Sequence, residues 1–357
     1  MYKYKNLLFS IITIFILFIF FEIFLLLTYK LTPKLNLPNA ISSIFQKFYI
    51  LHDRKLDQYY CGEYHSQLFY KYKPGTCTIK NVEFETNFKI NTFGTRENQE
   101  KLNSKIDIVF LGDSHTSGWG MKDNERFSNL VAEKTSLTSF NLGISSYGTV
   151  REFIQLREFS KNNNDYQYIV IQYEGNDVDE NRQFYQEKNI LPISSSQTYL
   201  KNRDDHIKKS SYYFFKLSNF FYNEFKDRMK LILNKTFEIQ FEHMPYIPTK
   251  EEQQKWANED STIFLANVID QNIDLLKGKN LIIFGLSIKD NWAQKLKEKM
   301  ANKNYPFNFN VIDSTTFLKR SDFYKLDDHI NKSGHEKISD QMAMVINSTI
   351  KIKKSSP

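Results

Sequence analysis

Residues 106–120 read IDIVFLGDSHTSGWG, an apolar run that changes abruptly to small and polar residues at Gly112. A continuous apolar run of this length is typical of a strand covered on both faces, as in a parallel sheet. Ser114 follows that strand directly, and open α/β sheets bind their ligands beyond the carboxyl ends of their strands. The stretch therefore predicts a buried strand that presents Ser114 at a functional edge.

The same pattern recurs along the rest of the chain. Further strand candidates span residues 138–143, 166–173, 280–286 and 307–313. Apolar residues recur at helical spacing between them, at residues 126–135, 150–161 and 291–303. Strands that alternate with helices predict a parallel sheet in a three-layer α/β/α sandwich.

The charge composition argues against a nucleic-acid-binding protein. The 357 residues include 48 Lys and Arg against 41 Asp and Glu, a net charge of +7. This excess is spread along the chain, and no nucleic-acid-binding motif is present. A solvated lysine-rich surface is the favoured interpretation, and a weak attraction to an anionic membrane or glycan is the alternative.

The N-terminal residues 7–28 form an apolar run about as long as one bilayer crossing, with Glu22 as its only charge. The first alanine is Ala40, and no small-residue cleavage site follows the run, so an uncleaved anchor is favoured over a signal peptide. Lysines flank both ends, and the positive-inside rule leaves the orientation open. Glu22 either marks a partner helix or lies near the outer interface, and we favour the interface.

The chain divides into three regions by composition. Residues 1–30 are the predicted anchor, 31–100 a connecting region with short strands, and 101–350 the predicted α/β domain with an insertion at 181–275. The insertion is longer than a single connection between parallel strands requires, and we interpret it as a variable cap. A membrane-surface helix is the more specific alternative. Its aromatic segment is expected to pack one helical face on the core through Phe214, Leu217, Phe221 and Phe225.

Cys61 and Cys77 are the only cysteines and bracket a predicted hairpin with a Pro-Gly turn. Two thiols that face each other across a hairpin form a disulfide in an oxidising compartment. Two ordinary buried thiols fit the sequence equally well, because the pairing depends on a geometry that the sequence does not provide.

The predicted strand ends deliver polar groups suited to acyl transfer through a serine. Ser114 needs an adjacent base to become nucleophilic, and His329 in the segment KLDDHINKSGH supplies an imidazole. A carboxylate must then fix the imidazole tautomer. We predict Asp327 for this role, because the side chain two residues before histidine folds alongside it, whereas that of Asp328 points away.

Three donors are available for the negative charge that develops on the carbonyl oxygen. The Ser114 backbone N–H lies where a helix begins, the Gly143 N–H is approachable because glycine lacks Cβ, and Asn176 offers its side-chain amide. We predict that these three groups form the oxyanion hole.

The four blocks that carry these residues resemble those of the SGNH hydrolase superfamily, also called GDSL-type esterases and lipases, over roughly residues 85–350. FLGDSHTSGWG resembles the nucleophile block, FNLGISSYGT the glycine block, YEGNDVDEN the asparagine block and DDHINKSGH the histidine block. The segment INTFGTRENQE also resembles one found upstream of the nucleophile in envelope-associated members. The usual aspartate lies three residues before the histidine, where this chain has Leu326; an Asp-x-His form also occurs and supports Asp327.

The resemblance implies a flavodoxin-like sheet of five parallel strands and no metal or organic cofactor. It implies a serine ester hydrolase or O-acyltransferase that acts on an acylated envelope glycan or a small ester. Together with the predicted N-terminal anchor, we expect the protein in the cell membrane with its catalytic domain outside the cytoplasm. A membrane protein that hands over an acyl group is an expected partner of the transferase. The alternative function is a non-catalytic envelope binding or scaffold protein that retains the fold.

Overall fold

A computed structural model describes residues 2–237, 260–286 and 291–355. Part of the predicted insertion, residues 238–259, lies outside the described residues. The chain divides into two compact units. The first combines Met1–Arg54, Lys208–Glu259 and Lys325–Asp327, and the second combines Lys55–Ile207, Asp260–Tyr324 and Asp328–Pro357.

The second unit is built on a five-stranded parallel sheet. Its strands are β5 Ile108–Leu111, β6 Ser139–Asn141, β7 Tyr168–Tyr173, β8 Asn280–Gly285 and β9 Asn308–Asp313. They lie in the order β6-β5-β7-β8-β9, and every neighbouring pair is parallel. This is the doubly wound order of flavodoxin-like folds, so the predicted fold class is confirmed, and all five predicted strands are present.

Two apolar clusters cover opposite faces of this sheet, because successive residues of a strand point to opposite sides. Val109 and Leu111 belong to one cluster, and Ile108 and Phe110 belong to the other.

The helices of this unit are α3 Asp57–Tyr60, α4 Ser114–Ser117, α5 Phe127–Thr135, α6 Thr149–Ser160, α7 Gly175–Gln186, α8 Ser196–Ser210, α10 Ser261–Asp270, α11 Ile273–Leu276, α12 Trp292–Ala301 and α13 Lys332–Ser355.

Helices α6, α10 and α12 contribute to the first cluster, and α5 and α13 contribute to the second. The three predicted layers are therefore present. The carboxyl ends of all five strands open at one edge, which is where the sequence placed the functional residues.

Two short antiparallel hairpins precede the sheet. Strand β1 Gly62–His65 pairs with β2 Phe69–Tyr72, and β3 Gly75–Lys80 pairs with β4 Glu85–Ile90. Cys61 and Cys77 form a disulfide with their Cα atoms 5.7 Å apart. The expectation of a single hairpin with a Pro-Gly turn is wrong, because that turn joins β2 to β3 and the disulfide links the start of one hairpin to a strand of the other.

The first unit contains α1 Tyr2–Leu31, α2 Asn39–Phe48 and α9 Lys216–Phe237. Helix α1 is long and apolar enough to cross a membrane, with a mean hydropathy of 2.8 in its most apolar window. The expected packed face of α9 is only partly present. Leu217 is buried, but Phe214 precedes the helix and Phe225 is exposed, while Phe220 is buried in their place.

His335 of α13 couples the stability of the sandwich to pH. Its ring stacks on Phe127 of α5, and its Nδ1 accepts a hydrogen bond from the Phe127 N–H at 3.1 Å. Burial lowers the pKa of His335 well below its usual range, and the cationic neighbours His115 and Arg126 lower it further. The folded state therefore holds this imidazole neutral.

We predict that His335→Asn flattens the pH dependence of stability below pH 6.5. Below a pH of about 6.5, the unfolded state binds a proton at this histidine and the folded state does not. The free energy of unfolding therefore falls by about 1.4 kcal/mol per pH unit as the pH decreases. Asparagine offers an oxygen to the Phe127 N–H but does not titrate. Thermal unfolding at pH 7.5 and 5.5 measures the effect, and equal pH slopes in the two proteins would contradict it.

Candidate active site

A glycine at the end of β5 shapes the turn that carries Ser114. Gly112 has a φ of 150°, and a Cβ at this position would lie 2.1 Å from Thr116 Oγ1. The next residue, Asp113, donates its N–H to Gln172 Oε1 at 3.0 Å and caps α4 by accepting the His115 N–H at 2.9 Å. Only glycine allows the chain to turn this tightly from strand to helix.

The predicted nucleophile and base are hydrogen-bonded to each other. Ser114 Oγ lies 2.6 Å from His329 Nε2, and each residue is only 8% exposed. The His329 carbonyl accepts the Tyr324 N–H at 3.0 Å, and an isolated bridge joins Phe323 to Ile330, so the backbone on both sides of the imidazole is held. An imidazole at this distance can accept a proton from the serine hydroxyl.

The two aspartates before the histidine have different surroundings. Asp328 is exposed, and its Oδ1 lies 3.2 Å from His329 Nδ1, so the expectation that its side chain points away from the imidazole is wrong. Asp327 is fully buried, and its Oδ2 accepts the Tyr49 hydroxyl at 2.5 Å. Burial, followed by the Asp327 charge, raises the pKa of Tyr49 well above its usual range, so Tyr49 remains a donor. The assignment of Asp327 as the triad acid stays a prediction.

Gly143 packs directly against the helix that begins at Ser114. A Cβ on Gly143 would lie 2.5 Å from the Ser117 nitrogen, so no side chain fits. Its N–H donates to Asn141 Oδ1 at 2.8 Å, and Asn141 Nδ2 donates to the Thr116 carbonyl at 2.6 Å. The Gly143 N–H thus has an acceptor in this structure, and its role as an oxyanion donor stays a prediction.

Asn176 lies in the first turn of α7, after β7. Its side-chain Nδ2 donates one hydrogen to the Tyr147 carbonyl at 2.7 Å. An amide nitrogen carries two hydrogens, so this bond orients the group and leaves the second hydrogen for a ligand. Helix α4 contains only four residues, so the dipole support expected for the Ser114 N–H is that of a single turn.

A second histidine beside the base is held by an ion pair. The His115 ring centroid lies 4.6 Å from that of His329, and His115 Nε2 lies 2.9 Å from Glu174 Oε2. Burial opposes the charged imidazole, but the Glu174 carboxylate outweighs it and raises the pKa of His115. Burial, followed by the Glu174 charge, raises the pKa of Asp113 to about 6.

Two side chains, Asp57 and Tyr72, support the loop after Gly143 from behind. Asp57 is fully buried, and its Oδ2 accepts the hydroxyls of Tyr72 and Ser145 at 2.6 and 2.7 Å. The Tyr72 hydroxyl in turn accepts the Ser145 N–H at 3.2 Å. The connecting region of the chain therefore holds the backbone two residues after Gly143.

Sequence reasoning missed several of these groups. Asn141 and Glu174 stand next to predicted site residues at strand ends, and that position was the available signal. Nothing local to Asp57 or Tyr72 indicated their contact with Ser145. Asp113, His115 and Glu174 bring three potential metal-ligand atoms within 4.8 Å of one another. Each of these residues already bonds a protein group at this place. The expectation of no metal stays a prediction.

No protein-family model matches the sequence, and no curated protein matches it. Among solved structures, the chain is similar to a lipolytic protein of the G-D-S-L family from Desulfitobacterium hafniense DCB-2, with 13% identity, 68% of this chain and 99% of that chain covered, and a TM-score of 0.32. It is similar to an acetyl xylan esterase from the rumen bacterium Butyrivibrio proteoclasticus, with 9% identity, coverages of 74% and 66%, and a TM-score of 0.35.

It is also similar to a carbohydrate esterase described as having divergent catalytic and non-catalytic binding functions, with 12% identity, coverages of 76% and 80%, and a TM-score of 0.37. At these identities and TM-scores the likenesses assign no role to this chain, and the chemistry of the site rests on its own distances. The strand order, the glycine turn before Ser114 and the bond from Ser114 to His329 place a serine beside an imidazole at the carboxyl edge of a parallel sheet.

We predict that Gly143→Ala disables the site, whereas Gly175→Ala does not. The added methyl group must displace the backbone of α4 at Ser117, at a cost of about 1–3 kcal/mol, and loss of one oxyanion donor lowers kcat by about 10²-fold or more. A Cβ on Gly175 meets nothing within 4 Å. Ester hydrolysis and thermal unfolding compare the two variants, and equal kcat values would contradict the prediction.

We also predict that Asp327→Asn lowers kcat much more than Asp328→Asn. Replacing the triad acid lowers kcat by about 10⁴-fold, whereas an exposed ion pair such as that of Asp328 is worth about 1 kcal/mol or less. Rates of ester hydrolysis at pH 8 distinguish the two variants. A larger loss in Asp328→Asn would assign Asp328 as the acid instead.

Proposed function

We propose that this protein is a serine ester hydrolase or O-acyltransferase that acts on an acylated envelope glycan or a small ester. The observation that carries the proposal is the 2.6 Å bond between Ser114 Oγ and His329 Nε2 at the carboxyl edge of a parallel sheet. A buried serine in contact with an imidazole is the minimal arrangement for an acyl-enzyme mechanism.

In this proposal, acylation uses the contact between Ser114 and His329. Ser114 Oγ attacks the ester carbonyl carbon while His329 Nε2 accepts its proton, and a carboxylate at Nδ1 stabilises the imidazolium. The tetrahedral intermediate collapses when its bond to the alkoxy oxygen breaks. His329 returns the proton to that oxygen, so the alcohol leaves and the acyl group stays on Ser114.

Stabilisation of the oxyanion falls to three groups in this proposal. The Ser114 N–H and the second Asn176 hydrogen are the first two donors. The Gly143 N–H joins them by exchanging or sharing its bond to Asn141 Oδ1 when the oxyanion forms. Each such donor is worth about 10²–10³-fold in kcat.

Deacylation decides between hydrolysis and transfer. In hydrolysis, water attacks the acyl carbon while His329 takes its proton. The tetrahedral intermediate then collapses when its bond to Ser114 Oγ breaks, His329 returns the proton to Oγ, and the carboxylic acid leaves. In transfer, a sugar hydroxyl takes the place of water, and the acyl group comes from a donor such as a membrane protein partner. The same residues serve both reactions, so the acceptor that the bound acyl-enzyme meets determines the product.

We place the catalytic unit outside the cytoplasmic membrane, anchored by α1. Two observations support this location. Helix α1 has the length and composition of a single membrane crossing. The bond between Cys61 and Cys77 is of the kind that persists in oxidising compartments.

A serine-directed probe tests the proposed function. We predict that a fluorophosphonate labels the wild-type protein and fails to label Ser114→Ala, and that hydrolysis of p-nitrophenyl acetate falls by about 10⁴–10⁶-fold, because the substitution removes the hydroxyl that contacts His329 Nε2. Ser117→Ala, on the same helix, is the matched control and keeps its labelling.

Intact-mass measurement after incubation with acetyl and longer acyl donors then identifies the group carried by Ser114. Adding candidate glycans distinguishes transfer from hydrolysis. A wild-type protein that is inert to the probe but binds a glycan tightly would favour the non-catalytic alternative.

A further inference from the structure

A short aromatic turn in the first unit has three of its four side chains exposed. The aromatic turn, residues 212–215, joins α8 to α9 and reads YYFF. Tyr212, Tyr213 and Phe214 are 43%, 58% and 50% exposed. Exposing three consecutive aromatic rings to water is unfavourable in free energy, because their apolar surface stays unburied.

The fourth residue of the turn is held in a conformation that bulky residues avoid. Phe215 has a φ of 67°, in the left-handed region that favours glycine. This backbone directs its ring onto α1, with ring centroids 6.5 Å from Phe15 and 5.4 Å from Phe18. The turn is thus built against the apolar stretch of α1.

Glu22 fixes the turn at a defined level of α1. Its carboxylate is fully buried, and it accepts the Tyr212 hydroxyl at 2.7 Å, the Ser218 N–H at 2.9 Å and the Leu217 N–H at 3.3 Å. These N–H groups belong to the first turn of α9, where a helix favours a negative charge. The only charge in the apolar run therefore has partners within its own chain.

The depth of the turn follows from the helical rise. All residues of α1 from 4 to 21 are exposed except the half-buried Ile19, a length of about 27 Å at 1.5 Å per residue, close to the bilayer core of about 30 Å. Glu22 then lies at one boundary. Phe18, which contacts Phe215, lies about 6 Å inside that boundary.

An exposed apolar stripe continues from the turn along α9. Tyr222, Phe225 and Met229 are exposed at helical spacing, and the cationic Lys226 and Arg228 are exposed beside them. Aromatic rings at the boundary and basic residues next to an apolar stripe are typical of helices that lie on an anionic lipid surface.

We propose that the aromatic turn and the exposed stripe of α9 form a second lipid-contacting element, which inserts beside α1 into the leaflet at the Glu22 boundary. The proposal rests on the proposed anchoring of α1 in the membrane. Lys216, next to the turn, donates its Nζ to the carbonyls of His52 and Lys209, both at 2.6 Å, so its charge is directed into the protein. Lipid occupies this surface, and the hydrogen bonds of Glu22 hold the aromatic turn against α1.

Spin labels on the full-length protein in nanodiscs containing anionic lipid test this assignment. Because the disulfide leaves no free thiol, single cysteines can be introduced and labelled as Phe214→Cys, Phe18→Cys and Ile190→Cys. We expect the ratio of oxygen to nickel-complex collision rates to be several-fold higher at 214 and 18 than at the exposed position 190. A lipid-like ratio at 18 with a water-like ratio at 214 overturns the inference and leaves the anchor standing. Water-like ratios at both positions overturn the anchoring proposal as well.

A second pair of variants tests whether Glu22 holds the aromatic turn against α1. Glu22→Ala removes the acceptor of the turn and should shift the label at 214 towards water several-fold, while the label at 18 stays in lipid. Ser10→Ala, which removes only a bond to a carbonyl of α1 itself, should shift neither label. An unchanged ratio of collision rates at 214 in Glu22→Ala would contradict this role of Glu22. A discrete protein adduct of a photoreactive group at 214 in native membranes would assign this surface to a partner helix and overturn the lipid assignment.

Discussion

The hydrogen bond between Ser114 and His329 is the contact on which the interpretation of this molecule depends. The two residues are 215 positions apart in the chain, and the parallel sheet brings their loops to one edge. Gly112 makes the bond possible, because any side chain there would collide with Thr116 in the turn that carries the serine. The tight turn thus places a serine hydroxyl at the strand end beside an imidazole.

Burial around this bond has an electrostatic consequence. Ionisable groups removed from water require partners, and the site supplies them in pairs. Glu174 balances His115 next to the base, while the Asp57 carboxylate accepts two hydroxyls behind the loop of Gly143. Fixed partners of this kind hold dipoles in place before the substrate arrives, which is the condition for electrostatic stabilisation of a transition state.

The region before the sheet contacts the candidate site and is more than a spacer. Tyr72 comes from the second strand of the first hairpin and bonds Ser145, and the disulfide ties the two hairpins together. In the other unit, the chain that leaves the apolar helix delivers Tyr49 to Asp327, the predicted triad acid. Both segments therefore bear on residues that the proposed chemistry uses.

The sequence by itself determined the five strands, their alternation with helices, and the identities of Ser114 and His329. These features are local, because hydrophobic periodicity and the residue that ends a strand are legible over a few positions. Only the tertiary structure decided that Gly143 bonds Asn141, that Cys61 meets a cysteine in another hairpin, and that the aromatic turn faces outward. Those outcomes depend on which side chains long-range packing brings face to face, and single-sequence patterns carry no distance between segments that meet only after folding.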